Sequence, residues 1–418
     1  MPPNHKIVRD PIHGDIEITD LIDRLLATPE VQRLNNIKQL GFAHLVFPGA
    51  HHTRLEHSLG AYHLARKVAY NLELSEEETQ LITCAALLHD IGHGPFSHTL
   101  ESLLFEKFHV DHVALTQNLI LGKYDIYSQD EKKVLSSERV SDILDAQALD
   151  KQVIAHIIAG HTPKQPYLAQ ILNSTIDIDQ LDYLMRDAYY TGVSYGSIDL
   201  DRLLQTLMIF HHNLAVKRKG VSVLENILMA RGLMYSSVYF HKTVRIAELM
   251  LSKALELLLE LDPLEFFKMT DGELMSAVKE KGTYQYEIVT RLKFRHLFKQ
   301  AYMLSISDRD TYDSGVLKAL EKNTTRRKKE QEFEQKCGIP PGHIIIDMPL
   351  LELQRAEPRI QKTDIGIIEH DQVRQLDEFT PIAQAIRSRI APEWVLMIIS
   401  EEKYRTVIAE KAEKILLA

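Results

Sequence analysis

Apolar residues recur about every 3.6 positions through most of the first 330 residues, the spacing of helices that turn one face to a core. "EITDLIDRLLATPEVQRLNNIKQLG" keeps this spacing, broken at Pro29 and closed at Gly41. "SEEETQLITCAALLHD" opens on Ser75, an N-cap residue, and continues into an acidic first turn. The pattern predicts further helices in "QALDKQVIAHIIAGH" and "STIDIDQLDYLMRDAYYTG". It also predicts one or two long helices through "VLENILMARGLMYSSVYFHKTVRIAELMLSKALELLLEL". Residues 206–218 alternate as a hairpin does, with a turn near His212 and Asn213.

The texture changes after the charged stretch "KNTTRRKKEQEFEQK" at 322–336, which reads as a solvated helix or linker. "HIIID", "DIGIIE" and "WVLMIIS" have the apolar, β-branched character of strands, with helical patterns near 380–390 and 403–417. The predicted fold is therefore mainly α: a helical domain over 1–330 carrying a small hairpin, then an α+β module over 331–418.

One run departs from the amphipathic pattern. "LITCAALL", Leu81 to Leu88, has no polar face and predicts a helix buried all round. His89 and Asp90 follow at its end, before Gly92, Gly94 and Pro95. Burying an imidazole and a carboxylate is costly unless they are paired or bound to a cation. Neighbours on a helix point about 100° apart, so these two can share an ion only at a helix end or from a face turned inward, as the Gly92, Gly94 and Pro95 break suggests. With His57 in "RLEHSLG" and Asp179 in "STIDIDQLDYLMRD" they form a candidate His/His/Asp/Asp ligand set. Such donors suit a divalent Mn, Fe, Ni or Zn ion, and Mg less comfortably.

Composition narrows the function. A formal net charge of -9 argues against a general nucleic-acid binder, but allows an anionic small substrate at a metal or a local basic pocket. The two cysteines, Cys84 and Cys337, build neither a disulfide framework nor a cysteine zinc site. There is no apolar signal region and no stretch long enough to span a membrane. The expectation is a cytoplasmic protein with no membrane partner.

The segments "DPIHGDIEI", "TPEVQRLNNIKQLG", "VFPGAHHTRLEHSLG", "LLHDIGHGPFSHTLE", "IDIDQLDYLMRDAYYTG" and "YFHKTVRI" together resemble the HD-domain metal phosphohydrolases. Within them the chain looks like the deoxynucleoside triphosphate triphosphohydrolases, the branch of the bacterial dGTPases and the animal enzyme with an attached SAM domain. The resemblance covers most of residues 6 to 250.

It implies that His57, His89, Asp90 and Asp179 hold the metal, and that Arg54 and His112 contact phosphates. His93 and His98 resemble the pocket histidines. His98 looks like the general acid, and Glu101, three residues later, would orient its imidazole. Asp179, Tyr183 and Asp187 fall at i, i+4 and i+8, one stripe of a helix by geometry alone. By resemblance Tyr183 stacks on sugar or base, and Asp187 lies near the sugar 3′-hydroxyl. Arg231, Tyr239 and Lys242 match further substrate-facing positions. Tyr239 against Leu40 would form the gate beneath the 2′-carbon, with Gln39 a sugar contact.

The implied reaction is metal-dependent hydrolysis of a deoxynucleoside triphosphate to deoxynucleoside and triphosphate, by a homotetramer. The chain departs from the family at Gln180, where some relatives carry lysine. Ala27 and Asn35 replace residues that read a nucleotide activator in the animal enzyme, while Lys6 and Gln32 are kept as candidate regulatory contacts. A guanine-specific activator is not expected. Two other readings fit the same residues: another HD-type nucleotide phosphohydrolase or phosphodiesterase, and a nucleotide-sensing scaffold with weak turnover.

Overall fold

The computed structural model describes residues 6–97, 111–135, 137–258, 263–306, 314–349, 365–388 and 394–416. Helices dominate, as the periodicity predicts. The Glu76–Leu88 helix starts where expected, with the Ser75 hydroxyl accepting from Glu78 N and the Glu78 carboxylate accepting from Ser75 N. Leu81 to Leu88 are all buried, enclosed by the Arg54–Asn71 helix on one side and the Lys151–Ile158 helix on another. The Ile178–Thr191 helix is capped by Asp177, whose carboxylate accepts from Gln180 N at 2.9 Å, and ends on Gly192 at φ 76°. Only glycine takes that left-handed conformation without strain.

The long tract after residue 220 resolves into two helices, Val221–Met234 and Lys242–Glu256. A five-residue π-turn, Tyr235–Tyr239, separates them. Wider turns of this kind interrupt helices at functional sites, and this one ends on a candidate substrate residue.

Three small sheets punctuate the helices. Strands β1 (Lys6–Asp10) and β2 (Gly14–Ile18) form an N-terminal hairpin that the hydrophobic pattern did not signal. The expected hairpin pairs β3 (Leu207–Phe210) with β4 (Asn213–Lys217) through His211 and His212, both at positive φ. It continues into β7 (Gly366–Glu369), parallel to β4, and β8 (Gln372–Gln375). The third sheet has the order β5 (Lys299–Ser305), β9 (Trp394–Ser400), β6 (Ile344–Asp347), with fully buried β9 in the middle.

Residues after 330 thus share sheets with residues before it. Position 330 itself falls inside the Asn323–Cys337 helix, where Glu330 is buried and accepts from Lys253 Nζ at 2.7 Å. The charged stretch is a packed helix with Phe333 in a core. Among the described residues no helix is long and apolar enough to cross a membrane.

Candidate metal centre

Three helix ends meet at one point. His57 sits on the first turn of the Arg54–Asn71 helix, whose start is fixed by the Glu56 carboxylate accepting from Thr53 N at 2.6 Å. His89 caps the C-terminus of the buried helix, and Asp179 lies on the first turn of Ile178–Thr191. His57 Nε2 stands 3.0 Å from Asp179 Oδ1 and 3.2 Å from His89 Nε2. His89 Nε2 is in turn 3.3 Å from Asp90 Oδ1 and 3.7 Å from Asp179 Oδ1. The structure therefore brings all four sequence-predicted ligands together.

The hydrogen bonds behind these atoms test whether a cation fits. His89 Nδ1 lies 2.7 Å from Ala86 O, which can only accept, so Nδ1 carries the proton and Nε2 presents a lone pair. His57 Nδ1 is 2.8 Å from Asp182 Oδ2, which in the same way directs its Nε2 lone pair inward. Two nitrogen lone pairs and two carboxylate oxygens then face one another, a repulsive arrangement unless a cation lies between them. Charge agrees. Asp10, Asp90, Asp179 and Asp182 face Arg54 and Arg186, leaving two negative charges when the imidazoles are neutral. A divalent ion fits this donor set.

Without a cation, a proton takes its place. Burial works to lower the His57 pKa, but bonds to Asp179 and Asp182 outweigh it and push it up to about 10. Asp90 is held well below the usual carboxylate range, because His89 and Arg54 overcome the cost of its burial. For His93 burial and Arg54 act together, keeping the ring neutral.

The residues supporting the ligands were the ones sequence reasoning missed. Asp182 binds both His57 and, at 2.7 Å, His13 Nε2 from the β1–β2 turn. Arg186 bridges Asp182 to Asp10, whose Oδ1 accepts from Ile12 N and His13 N. The available signal was Asp182 three positions after Asp179, within the same acidic helix. Gly60 makes the approach possible: a Cβ there would lie 1.8 Å from Asp182 Oδ1.

The loop after the helix is latched at both ends. Arg33 is buried and donates to Ile91 O at 2.8 Å, His93 O at 2.7 Å and Met269 O at 3.2 Å. Asp271 accepts from Phe96 N and Lys38 N. Phe96 is held at φ 47°, a strained conformation for a bulky residue and one that collects at working sites. A Cβ on Gly92 would stand 2.4 Å from His112 O, so this glycine lets the His112–Ile120 helix close on the loop. The His93 and His112 rings stack as a result, with centroids 3.9 Å apart.

Beside the candidate ligands the candidate substrate residues form a polar, aromatic wall. Arg54 is buried, with Nη1 2.7 Å from Asp90 Oδ2 and Nη2 2.7 Å from Ser97 Oγ. Tyr183 and Tyr239 meet edge to face at 6.1 Å, and the Tyr239 hydroxyl donates to Asp187 Oδ2 at 2.7 Å. Gln39 is buried, its Oε1 without a hydrogen-bond partner among the described residues, and Leu40 packs between two cores. Arg231, also buried, donates to Thr175 O and to Gln180 Oε1. Gln180 thus engages an arginine in place of the charge that lysine would supply.

Lys242 faces a different hollow, of about 270 Å³, together with Arg295, Lys299 and Arg405, and donates to Gln300 Oε1. Lys6 and Gln32 are exposed, occupied by Asp23 and by Leu26 O respectively. His98 and Glu101 lie outside the described residues.

A helical core bringing two histidines and two aspartates together at one point defines the class. The chain belongs to the HD-domain phosphohydrolase family: residues 54–187 match the HD domain and residues 198–417 the HD associated region. An uncharacterised protein of Methanocaldococcus jannaschii is 30% identical over 406 residues, 95% of this chain and 80% of that protein. The deoxynucleoside triphosphate triphosphohydrolase SAMHD1 homolog of Dictyostelium discoideum is 31% identical over 70% of this chain and 59% of its own length. This chain therefore spans about three fifths of that relative. A crystal structure of a hypothetical protein from Aquifex aeolicus covers 99% of this chain and all of its own with a TM-score of 0.71 at 28% identity.

Proposed function

We propose that the protein hydrolyses deoxynucleoside triphosphates to deoxynucleoside and triphosphate, as a homotetramer. The observation that carries this reading is the single helix bearing Asp179, Tyr183 and Asp187, with Tyr239 bonded to Asp187. One element thus joins a candidate metal ligand to a pair of packed aromatic rings. The named activity of the Dictyostelium relative supports it.

His57, His89, Asp90 and Asp179 would hold the ion. When bound, a divalent ion lowers the pKa of a water molecule and polarises a phosphate. Arg54 and the His93–His112 stack offer donors to the phosphates, and Arg231 is placed toward Gln180 on the same helix. Tyr183 offers its face to the sugar or base, while Tyr239 and Leu40 restrict the room beneath the 2′-carbon. Attack of water at the α-phosphorus breaks the bond to the 5′-oxygen, and His98, oriented by Glu101, gives that oxygen its proton.

The test incubates the metal-reconstituted protein with each dNTP and NTP, singly and mixed, and resolves the products. Release of deoxynucleoside with intact triphosphate is expected. Sequential loss of single phosphates, or turnover of cyclic nucleotides alone, overturns the reading.

A further inference from the structure

A buried histidine that the reaction does not use lies against the sugar wall. The His52 side chain is fully enclosed, and its Nε2 lies 2.7 Å from Asp187 Oδ1. Asp187 only accepts, so the imidazole donates through Nε2, while the buried Nδ1 has no hydrogen-bond partner among the described residues. The two oxygens of Asp187 are thus held by two donors from distant parts of the chain: His52 on one and the Tyr239 hydroxyl on the other.

Each end of this relay has its own support. The His52 ring stacks on Tyr190 at 4.5 Å and 15°, and the Tyr190 hydroxyl donates to Glu56 Oε1 at 2.8 Å. Tyr239 ends the π-turn and meets Tyr235 edge to face at 4.9 Å. His52 also reaches a second sugar candidate through its backbone, since its carbonyl accepts from Gln39 N at 3.0 Å.

We infer that His52 is a positioning residue for sugar recognition: it locks the Asp187 carboxylate and, through it, the height of the Tyr239 ring beneath the sugar. This rests on the deoxynucleoside triphosphate reading above. A carboxylate on a helix can still turn about its terminal torsion. With Oδ1 released, Asp187 turns, the Tyr239 hydroxyl follows, and the space excluding a 2′-hydroxyl opens. Among the described residues His52 bonds to neither a candidate metal ligand nor a phosphate-facing side chain, so its effect falls on discrimination and KM.

The test compares wild type, His52→Phe, His52→Gln and Tyr239→Phe for kcat and KM on a dNTP and the matching NTP, with metal content and melting temperature measured alongside. His52→Phe keeps a ring on Tyr190 but donates nothing, and the dNTP-over-NTP preference should fall on the order of 10-fold, the size of one bond to a charged group. His52→Gln restores a donor and should recover most of the preference. The His52→Phe, Tyr239→Phe pair should lose less than the product of the single losses, because both act on one carboxylate.

Metal content should stay at the wild-type level throughout. A wild type without dNTP turnover overturns the substrate reading and this inference with it. A discriminating wild type whose preference survives in folded His52→Phe, or a Gln variant no better than Phe, overturns the inference alone.

Discussion

Two clusters among the described residues gather histidine with carboxylates closely enough to hold an ion. In the first, His57, His89 and Asp90 are joined by Asp179, and two imidazole lone pairs point at each other across 3.2 Å. In the second, His343 lies 2.9 Å from Glu401 and 3.9 Å from Glu287. There the charges are already answered. Arg291 bridges Glu287 to Glu401, and Lys403 stands 3.2 Å from Glu401. Both clusters have the donors, but only the first has a deficit of two positive charges and nitrogen lone pairs without protons. Ligand type is therefore a weak guide by itself; what the surrounding cations and hydrogen bonds leave unbalanced makes the site.

The largest effect should come from removing a charged ligand of the first cluster. Asp179→Ala or Asp90→Ala should abolish stoichiometric metal binding and turnover together, read by elemental analysis beside activity. Full retention of metal in either variant would take that residue out of the coordination sphere.

Next in size is the support behind the ligand. Asp182→Asn keeps the shape but weakens the orientation of His57, and should lower metal affinity roughly 10–100-fold, as loss of such partners commonly does. Metal titration followed by calorimetry measures this.

The second cluster should respond differently. His343→Ala is expected to leave metal stoichiometry at the first cluster and kcat unchanged, while costing roughly 1–3 kcal/mol of stability for a buried, bonded side chain. Loss of a second bound ion in this variant would show that the balance of charges had been misread.

A third case sharpens the rule. Glu30 is 2% exposed, accepts from Val140 N and makes no ion pair among the described residues. Burial pushes its carboxyl up from 4.5 to about 7. An acid with a raised folded pKa costs nothing below the unfolded value, and its penalty grows as pH rises toward the folded one. Glu30→Gln should therefore melt like wild type near pH 4.5 and later than wild type at pH 8, by on the order of 1–3 kcal/mol. Melting curves across that range check it, and equal melting at pH 8 would contradict the burial argument.

Much of the architecture was legible because it is written locally. Ser75 and Asp177 mark helix starts through their side-chain oxygens and Gly192 a helix end through its left-handed backbone, and the unbroken apolar run before His89 announced an enclosed helix. The β1–β2 hairpin escaped because β1 is exposed over most of its length and the alternation of β2 spans only five residues. β5 escaped for a related reason: its residues are mostly half-buried, and the strand is defined by the β9 neighbour it pairs with. The four candidate ligands, which residue type and the family resemblance singled out, do come together in the structure. Asp182, His13, Arg186 and His52 were not singled out, since each matters only through a partner more than a hundred residues away, apart from the Asp182–Arg186 contact.

By itself, then, the sequence determined the helical frame and the buried run ending in His89 and Asp90, and it offered four candidate ligands, because periodicity, capping and donor chemistry act over a few residues. Tertiary structure decided which His–carboxylate cluster is left short of positive charge, and which polar side chains support it. Those outcomes depend on cations and lone pairs brought within about 3 Å of one another by packing, as Gly60 and Gly92 permit, and no local pattern encodes that distance.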